Sequence, residues 1–203
     1  MRLREYAARM KSWAEKNGVT LLRYEISNDL PAQSDLYEIG KHHPGLIDLY
    51  ADSNGINVVW ESEEGDAGGI LQVPSATELS DMLHRGSELR DGYDDSDIVD
   101  SGYDQEWWNR NIKIFRSLTM FIHEGNGDGI CISSENDKIY FLFHDWMDWV
   151  SKEPPMICLA DSLQDLFESW SKINFGCPKD LYWMSAVKDG KFTGFNARGF
   201  VIR

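Results

Sequence analysis

Apolar side chains at Leu3, Tyr6, Ala7, Met10, Trp13 and Ala14 recur three and four residues apart. That spacing predicts an amphipathic helix up to about Lys16, closed by Asn17-Gly18. Val19 to Ile26 reads as a short strand, ended by Ser27-Asn28-Asp29 and Leu30-Pro31, and Ala32 to Gly40 as one or two helical turns. The unit HPGLIDLYADSNGINVVW, His43 to Trp60, follows. Pro44 suits the first position of a helix, where a missing N–H costs nothing, and Leu46, Ile47, Leu49 and Tyr50 give that helix a broad apolar face. Asn54-Gly55 is expected to close it before a strand of β-branched and aromatic residues, Ile56, Val58, Val59 and Trp60.

Beyond Trp60 the stretch ESEEGDAGG predicts an exposed turn, and Ile70 to Val73 the next apolar group. Ser75 with Glu78 has capping-box spacing and opens a helix striped by Leu79, Met82 and Leu83. Arg90 to Gln105 is acidic and turn-rich, a long surface loop. Trp107 to Ser117 fits a helix or an extended segment. Leu118 to His123, Ile130 to Ile132 and Lys138 to His144 read as strands, with Glu124 to Gly129 as a turn, so an antiparallel meander is expected, its third strand central. Leu163, Leu166, Phe167, Trp170 and Ile173 mark a covering helix entered through Ala160-Asp161-Ser162. Leu181 to Val187 and Phe192 to Phe195 flank Asp189-Gly190 as a hairpin, and Asn196 to Arg203 form a tail.

Length and composition narrow the class. At 203 residues, 42% hydrophobic and 27% charged, the chain fits one α+β domain able to bury its own core. It has no apolar run near the roughly 18 residues of a membrane span, and charges stand where a signal peptide would be apolar, so a cytoplasmic protein is expected. Cys131, Cys158 and Cys177 show no paired spacing and are expected as buried free thiols. The net charge of −14 is concentrated: between Glu61 and Glu106 fourteen carboxylates face two arginines, Arg85 and Arg90. Such a surface disfavours nucleic acid and anionic lipid and favours basic partners.

Candidate chemistry is sparse. EGNGDG, Glu124 to Gly129, lacks the Lys-Ser/Thr of a phosphate loop and is itself acidic. DGYDDSD, Asp91 to Asp97, has oxygen ligands for calcium but neither the central glycine nor the closing glutamate of a twelve-residue loop. His42, His43, His84, His123 and His144 show no zinc spacing. His144-Asp145 has no nucleophile beside it in sequence, and Ser162 stands where a helix cap belongs. No metal, cofactor or catalytic residue is assigned. Trp107-Trp108 fits core better than interface. The partner-binding candidates are Glu61, Glu63, Glu64, Asp66, Asp91, Asp94, Asp95, Asp97 and Asp100 for charge, with Tyr93 and Tyr103 for contact area.

Three blocks occur in a telling order: a helix to Asn54-Gly55 with Val58-Val59-Trp60; Phe121-Ile122, Gly125-x-Gly127-Asp128, Ile130-x-Ile132 and Ile139-Tyr140 to His144-Asp145; and Ala160-x-Ser162-Leu163 with Leu166-Phe167. Together these resemble the SUKH superfamily, named for a fungal regulator of cell-wall synthesis and common in bacteria as immunity proteins. The resemblance covers about residues 31–172, leaving 1–30 as an N-terminal helix and strand extension and 173–203 as a C-terminal hairpin and tail of the same single domain. Family members usually carry Leu-Pro where this chain has His43-Pro44, and the acidic stretch is longer here. The resemblance implies a mainly antiparallel sheet packed by helices, no enzymatic activity, and a cognate toxin, often a nuclease, as partner. The acidic middle fits a basic toxin. The alternative is a regulatory scaffold of the same superfamily that binds a host protein.

Overall fold

The computed structural model describes residues 2–63, 67–91, 105–123, 128–143, 156–177, 186–188 and 191–195. Over these the protein is an α+β fold of helices and antiparallel sheets. Helix α1 (Leu3–Asn17) buries Leu3, Ala7, Met10 and Ala14, the stripe its spacing demands, and ends at Gly18 with φ +66°. Its first N–H groups have no side-chain cap of their own. Leu3 and Arg4 instead donate to the carboxylate of Asp52 (3.1 and 3.3 Å), and the Arg4 guanidinium reaches the Asp52 carbonyl (2.6 Å) and the Ser27 carbonyl (2.7 Å). A carboxylate at a helix N-terminus is favoured by the exposed amides and the macrodipole there. The N-terminal extension is thereby tied into the core.

Strand β1 (Thr20–Ile26) pairs with β2 (Ile56–Glu61), which pairs with β3 (Gly68–Val73), giving an antiparallel sheet in the order β1-β2-β3. Between β1 and β2 lie α2 (Gln33–His42), longer than the one or two turns expected, and a 3₁₀ helix over Pro44–Tyr50. The expected broad apolar face is narrower by one residue: Leu46, Leu49 and Tyr50 are buried, while Ile47 turns outward and is 38% exposed. The helix also stops at Tyr50, ahead of Asn54-Gly55. Asn54 does something else: its Oδ1 accepts the N–H of Ala76 (2.8 Å), helping to cap the next helix.

That helix, α3 (Ala76–Asp91), opens on the capping box. Ser75 N–H donates to Glu78 Oε2 (2.8 Å), and Glu78 N–H donates to Ser75 Oγ (3.2 Å). It runs on to Asp91 because Glu88, Leu89 and Arg90 are good helix formers, and α4 begins at Gln105 (Gln105–Arg116). The loop expected over Arg90 to Gln105 thus gives up its ends to helices. Residues 92–104 lie outside the described residues. Trp107-Trp108 falls within α4, a helix rather than the extended alternative.

The second sheet is the expected meander, β4 (Leu118–His123), β5 (Gly129–Ser133), β6 (Ile139–Leu142) and β7 (Met156–Ala160), antiparallel throughout. β6 is internal, as its apolar run implied. β7 is an addition that the sequence reading lacks. Both faces of this sheet are covered: Ile130 and Phe141 point into the main core, whereas Cys131 and Tyr140, one residue along each strand, pack with Phe115, Leu118 and Met156 under α4. Burial on two sides explains strands without polar alternation.

Helix α5 (Leu163–Ser171) buries Leu163, Leu166, Phe167 and Trp170. Ser162 is its N-cap, accepting the Asp165 N–H at 3.1 Å and donating to Asp165 Oδ2 at 2.7 Å. Ser162→Ala is expected to lower stability by about 1 kcal/mol, read as a lower urea midpoint with an unchanged slope. Of the expected terminal hairpin the described residues include the antiparallel pair β8 (Val187–Lys188) and β9 (Lys191–Phe192); residues 181–185, Asp189-Gly190 and the tail 196–203 lie outside the described residues. Of the three free cysteines only Cys131 is buried. Cys177 is intermediate and Cys158 exposed, because Cys158 lies on β7, the edge strand of its sheet.

Candidate functional site

The two features that could meet a partner are the acidic middle of the chain and a cleft between the two sheets. Glu61 is the last residue of β2, between Thr20 and Gly68 in the ladder. Trp60 points inward, so the alternation of the strand sends Glu61 outward, and both Glu61 and Glu63 are exposed. The hairpin beyond is closed by Ser62 N–H to the Ala67 carbonyl (2.9 Å) and Ala67 N–H to Ser62 Oγ (3.2 Å). Asp91 is the final residue of α3. Glu64, Asp66, Tyr93, Asp94, Asp95, Asp97, Asp100 and Tyr103 lie outside the described residues, as do His144-Asp145 and residues 124–127 of the glycine-rich turn. Among the described residues none of Glu61, Glu63 and Asp81 has a salt-bridge partner, so their charges face solvent. No group of three His, Cys, Asp or Glu among the described residues is placed to hold a metal ion.

The cleft, about 1190 Å³, is built from elements far apart in sequence. One wall is the end of the first sheet, where Glu25, Asn57 and Gln72 sit side by side across β1, β2 and β3. These are the outward partners of the strand positions whose neighbours, Ile56, Val58 and Leu71, enter the core. The opposite wall is apolar: Phe115 from α4, Leu118 and Met120 from β4, Cys131 from β5 and Leu142 from β6, with Met82 of α3 between the walls. Glu78 and Asp81, both exposed on the first turns of α3, join Glu25 around the opening. Among the described lining residues there is no lysine or arginine. Desolvation by its neighbours lowers the His123 pKa below its ordinary value, so this ring too is uncharged at neutral pH.

Two polar details bear on the walls. Asn57 Oδ1 is buried and accepts no hydrogen bond among the described residues. Thr119 lies where the cleft floor meets the core, and its hydroxyl is 2.7 Å from Nε2 of His43, itself 2% exposed. His43 therefore has a structural place, between the 3₁₀ helix and β4. The sequence reading missed Glu25, Asn57, Gln72 and Met120. Its available signal was the polar member of each alternating pair in β2 and β3, which marks a solvated face, though not what lies across from it.

No described helix is long and apolar enough to cross a membrane. Comparison of the chain with family models, with curated proteins and with solved structures finds no match.

Proposed function

We propose that this protein is a non-catalytic immunity protein that binds and neutralises a basic toxin, a nuclease by preference, through its acidic middle. The observation that carries the reading is the charge distribution: the stretch from Glu61 to Glu106 holds twelve of the fourteen net negative charges. Exposed Glu61, Glu63 and Asp81, with no salt-bridge partner among the described residues, support it from the described part of that stretch. The order of SUKH-like blocks supports it from the sequence. A nuclease must be basic around its active site to hold phosphates, and a carboxylate surface competes for the same ground.

The test is co-expression with the product of the neighbouring reading frame. Rescue from toxicity is the expected result, with an association rate that falls as salt rises. Converting Asp91, Asp94, Asp95, Asp97 and Asp100 to amides should slow association by roughly tenfold at low salt, measured by stopped-flow fluorescence. A harmless neighbour, or an on-rate indifferent to these changes, would favour the scaffold reading instead.

A further inference from the structure

We propose that the cleft between the sheets is a second contact site, which receives an extended segment of the protein partner carrying an apolar side chain between lysines or arginines. This deepens the reading of an acidic binding protein and rests on it. Size argues for a segment: ligand sites for single small molecules run to about 300–1,000 Å³, and this cleft, at about 1190 Å³, has room for several residues. Chemistry argues for an amphipathic one. The far wall offers the half-buried Met120 and Leu142, backed by the buried Phe115 and Leu118, and a charged segment alone would leave the two half-buried side chains wet. Met82 and Met120 are unbranched and adapt to the shape of an incoming side chain.

Charge argues for a basic one. Glu25 of β1 and Asp81 of α3 are exposed residues of the cleft lining, and Glu78 lies a helical turn from Asp81 with its Oε2 engaged in the capping box. No described lining residue is a lysine or arginine to neutralise them, and His123 is uncharged. An anionic or purely apolar occupant would desolvate these carboxylates without compensation. A lysine or arginine on either side of an apolar anchor meets them at the rim, while the anchor takes the floor.

The experiment uses the full chain and short fluorescent peptides followed by anisotropy at physiological salt. A peptide alternating lysine and leucine is the probe, with lysine–serine and glutamate–leucine peptides as comparisons. The lysine–leucine peptide is expected to bind best. Its affinity should fall by about tenfold in the rim variant Glu25→Lys/Asp81→Lys. It should stay within about twofold in a charge-matched variant, Glu15→Lys/Glu135→Lys, whose exposed carboxylates lie elsewhere. Equal weakening in both variants, or equal binding of the lysine–serine peptide, would show attraction to net charge and overturn the cleft. So would an absence of binding. A substitution in the floor, Met120→Ser, should weaken the leucine peptide and leave the serine one unchanged. No toxin enters this assay, so failure of neutralisation in co-expression leaves its result standing. Conversely, a peptide indifferent to the rim removes the cleft and leaves the rest of the acidic stretch to the co-expression test.

Discussion

Replacing Trp170 by alanine is expected to remove about 4 kcal/mol of folding stability. The indole is fully buried, its Nε1 donates to the Gly176 carbonyl at 2.9 Å, and it packs edge-on against Phe175 (5.3 Å) and stacked on Phe195 (5.9 Å). Tyr6 of α1 completes the cluster, 5.6 Å from Phe167 and 5.5 Å from Phe175, so one group of rings joins the first helix, α5 and the C-terminal segment. The turn after α5 depends on that group. Asn174 and Phe175 both have positive φ, +52° and +55°. Asparagine tolerates this conformation, but a bulky side chain adopts it only where surrounding contacts over-determine it. Phe175 is 1% exposed among aromatic neighbours, and its N–H donates to the Trp170 carbonyl at 3.1 Å. Losing the indole leaves a cavity, an unpaired Gly176 carbonyl and a looser turn together. Against a net stability of roughly 5–15 kcal/mol, that is a large fraction. Urea unfolding at neutral pH measures it. Trp170→Phe keeps a ring and loses the hydrogen bond, and should cost less, about 2 kcal/mol. An alanine variant within about 1 kcal/mol of the parent would mean that the cluster is not what holds the C-terminal segment.

The parts of this architecture that a reader can take from the sequence are those fixed by neighbours. The α1 stripe, the Ser75–Glu78 box, the Ser162 cap and the β4-β5-β6 meander each follow from residues a few positions apart, and each is present. The 3₁₀ helix escaped because Leu46, Ile47, Leu49 and Tyr50 satisfy an α-helical pattern equally well, and nothing in their spacing selects the tighter winding over the ordinary one. β7 escaped because Met156 to Ala160 is short and leads directly into the helix-opening Asp161-Ser162. Nothing local assigns those residues a partner strand. The split into two sheets, and with it the cleft, depends on pairings that cross long stretches of chain. Gln72 and Met120 can be recognised as facing a common space only once those pairings exist. The acidic stretch is the opposite case: its charge is plain from composition, while its arrangement in space is a tertiary matter, and Glu61, Glu63, Glu78, Asp81 and Glu106 are its members with described, exposed side chains.

Gly69→Ala should be nearly as damaging, at about 3 kcal/mol, although it adds a single methyl group. In the β2–β3 ladder Gly69 lies opposite Trp60, and on its other side it bridges to Gly176. A Cβ at this position would collide with Nε1 and Cε2 of the Trp60 indole and would stand 2.8 Å from the Phe175 carbonyl oxygen. Neither neighbour can retreat cheaply. The indole is wedged edge-on against Trp13 at 4.8 Å and donates to the Asn174 carbonyl at 2.8 Å. The Phe175 carbonyl accepts the Ile70 N–H at 3.0 Å, and Cys177 N–H donates to the Gly68 carbonyl at 2.9 Å, so the chain after α5 runs hydrogen-bonded along the free edge of β3. A displaced indole forfeits its buried hydrogen bond; a displaced backbone breaks the added ladder. Gly68→Ala, one residue away, meets only the Trp60 carbonyl at 3.3 Å and should cost under about 1 kcal/mol. The decisive measurement is a double-mutant cycle with Trp60→Phe. The smaller ring vacates the space the new methyl needs, so the double variant should be at least about 1 kcal/mol more stable than the two single losses added together. Strict additivity in urea unfolding would mean that the methyl is accommodated elsewhere, and that the contact between Gly69 and the indole does not set the spacing between β3 and the segment that seals its edge.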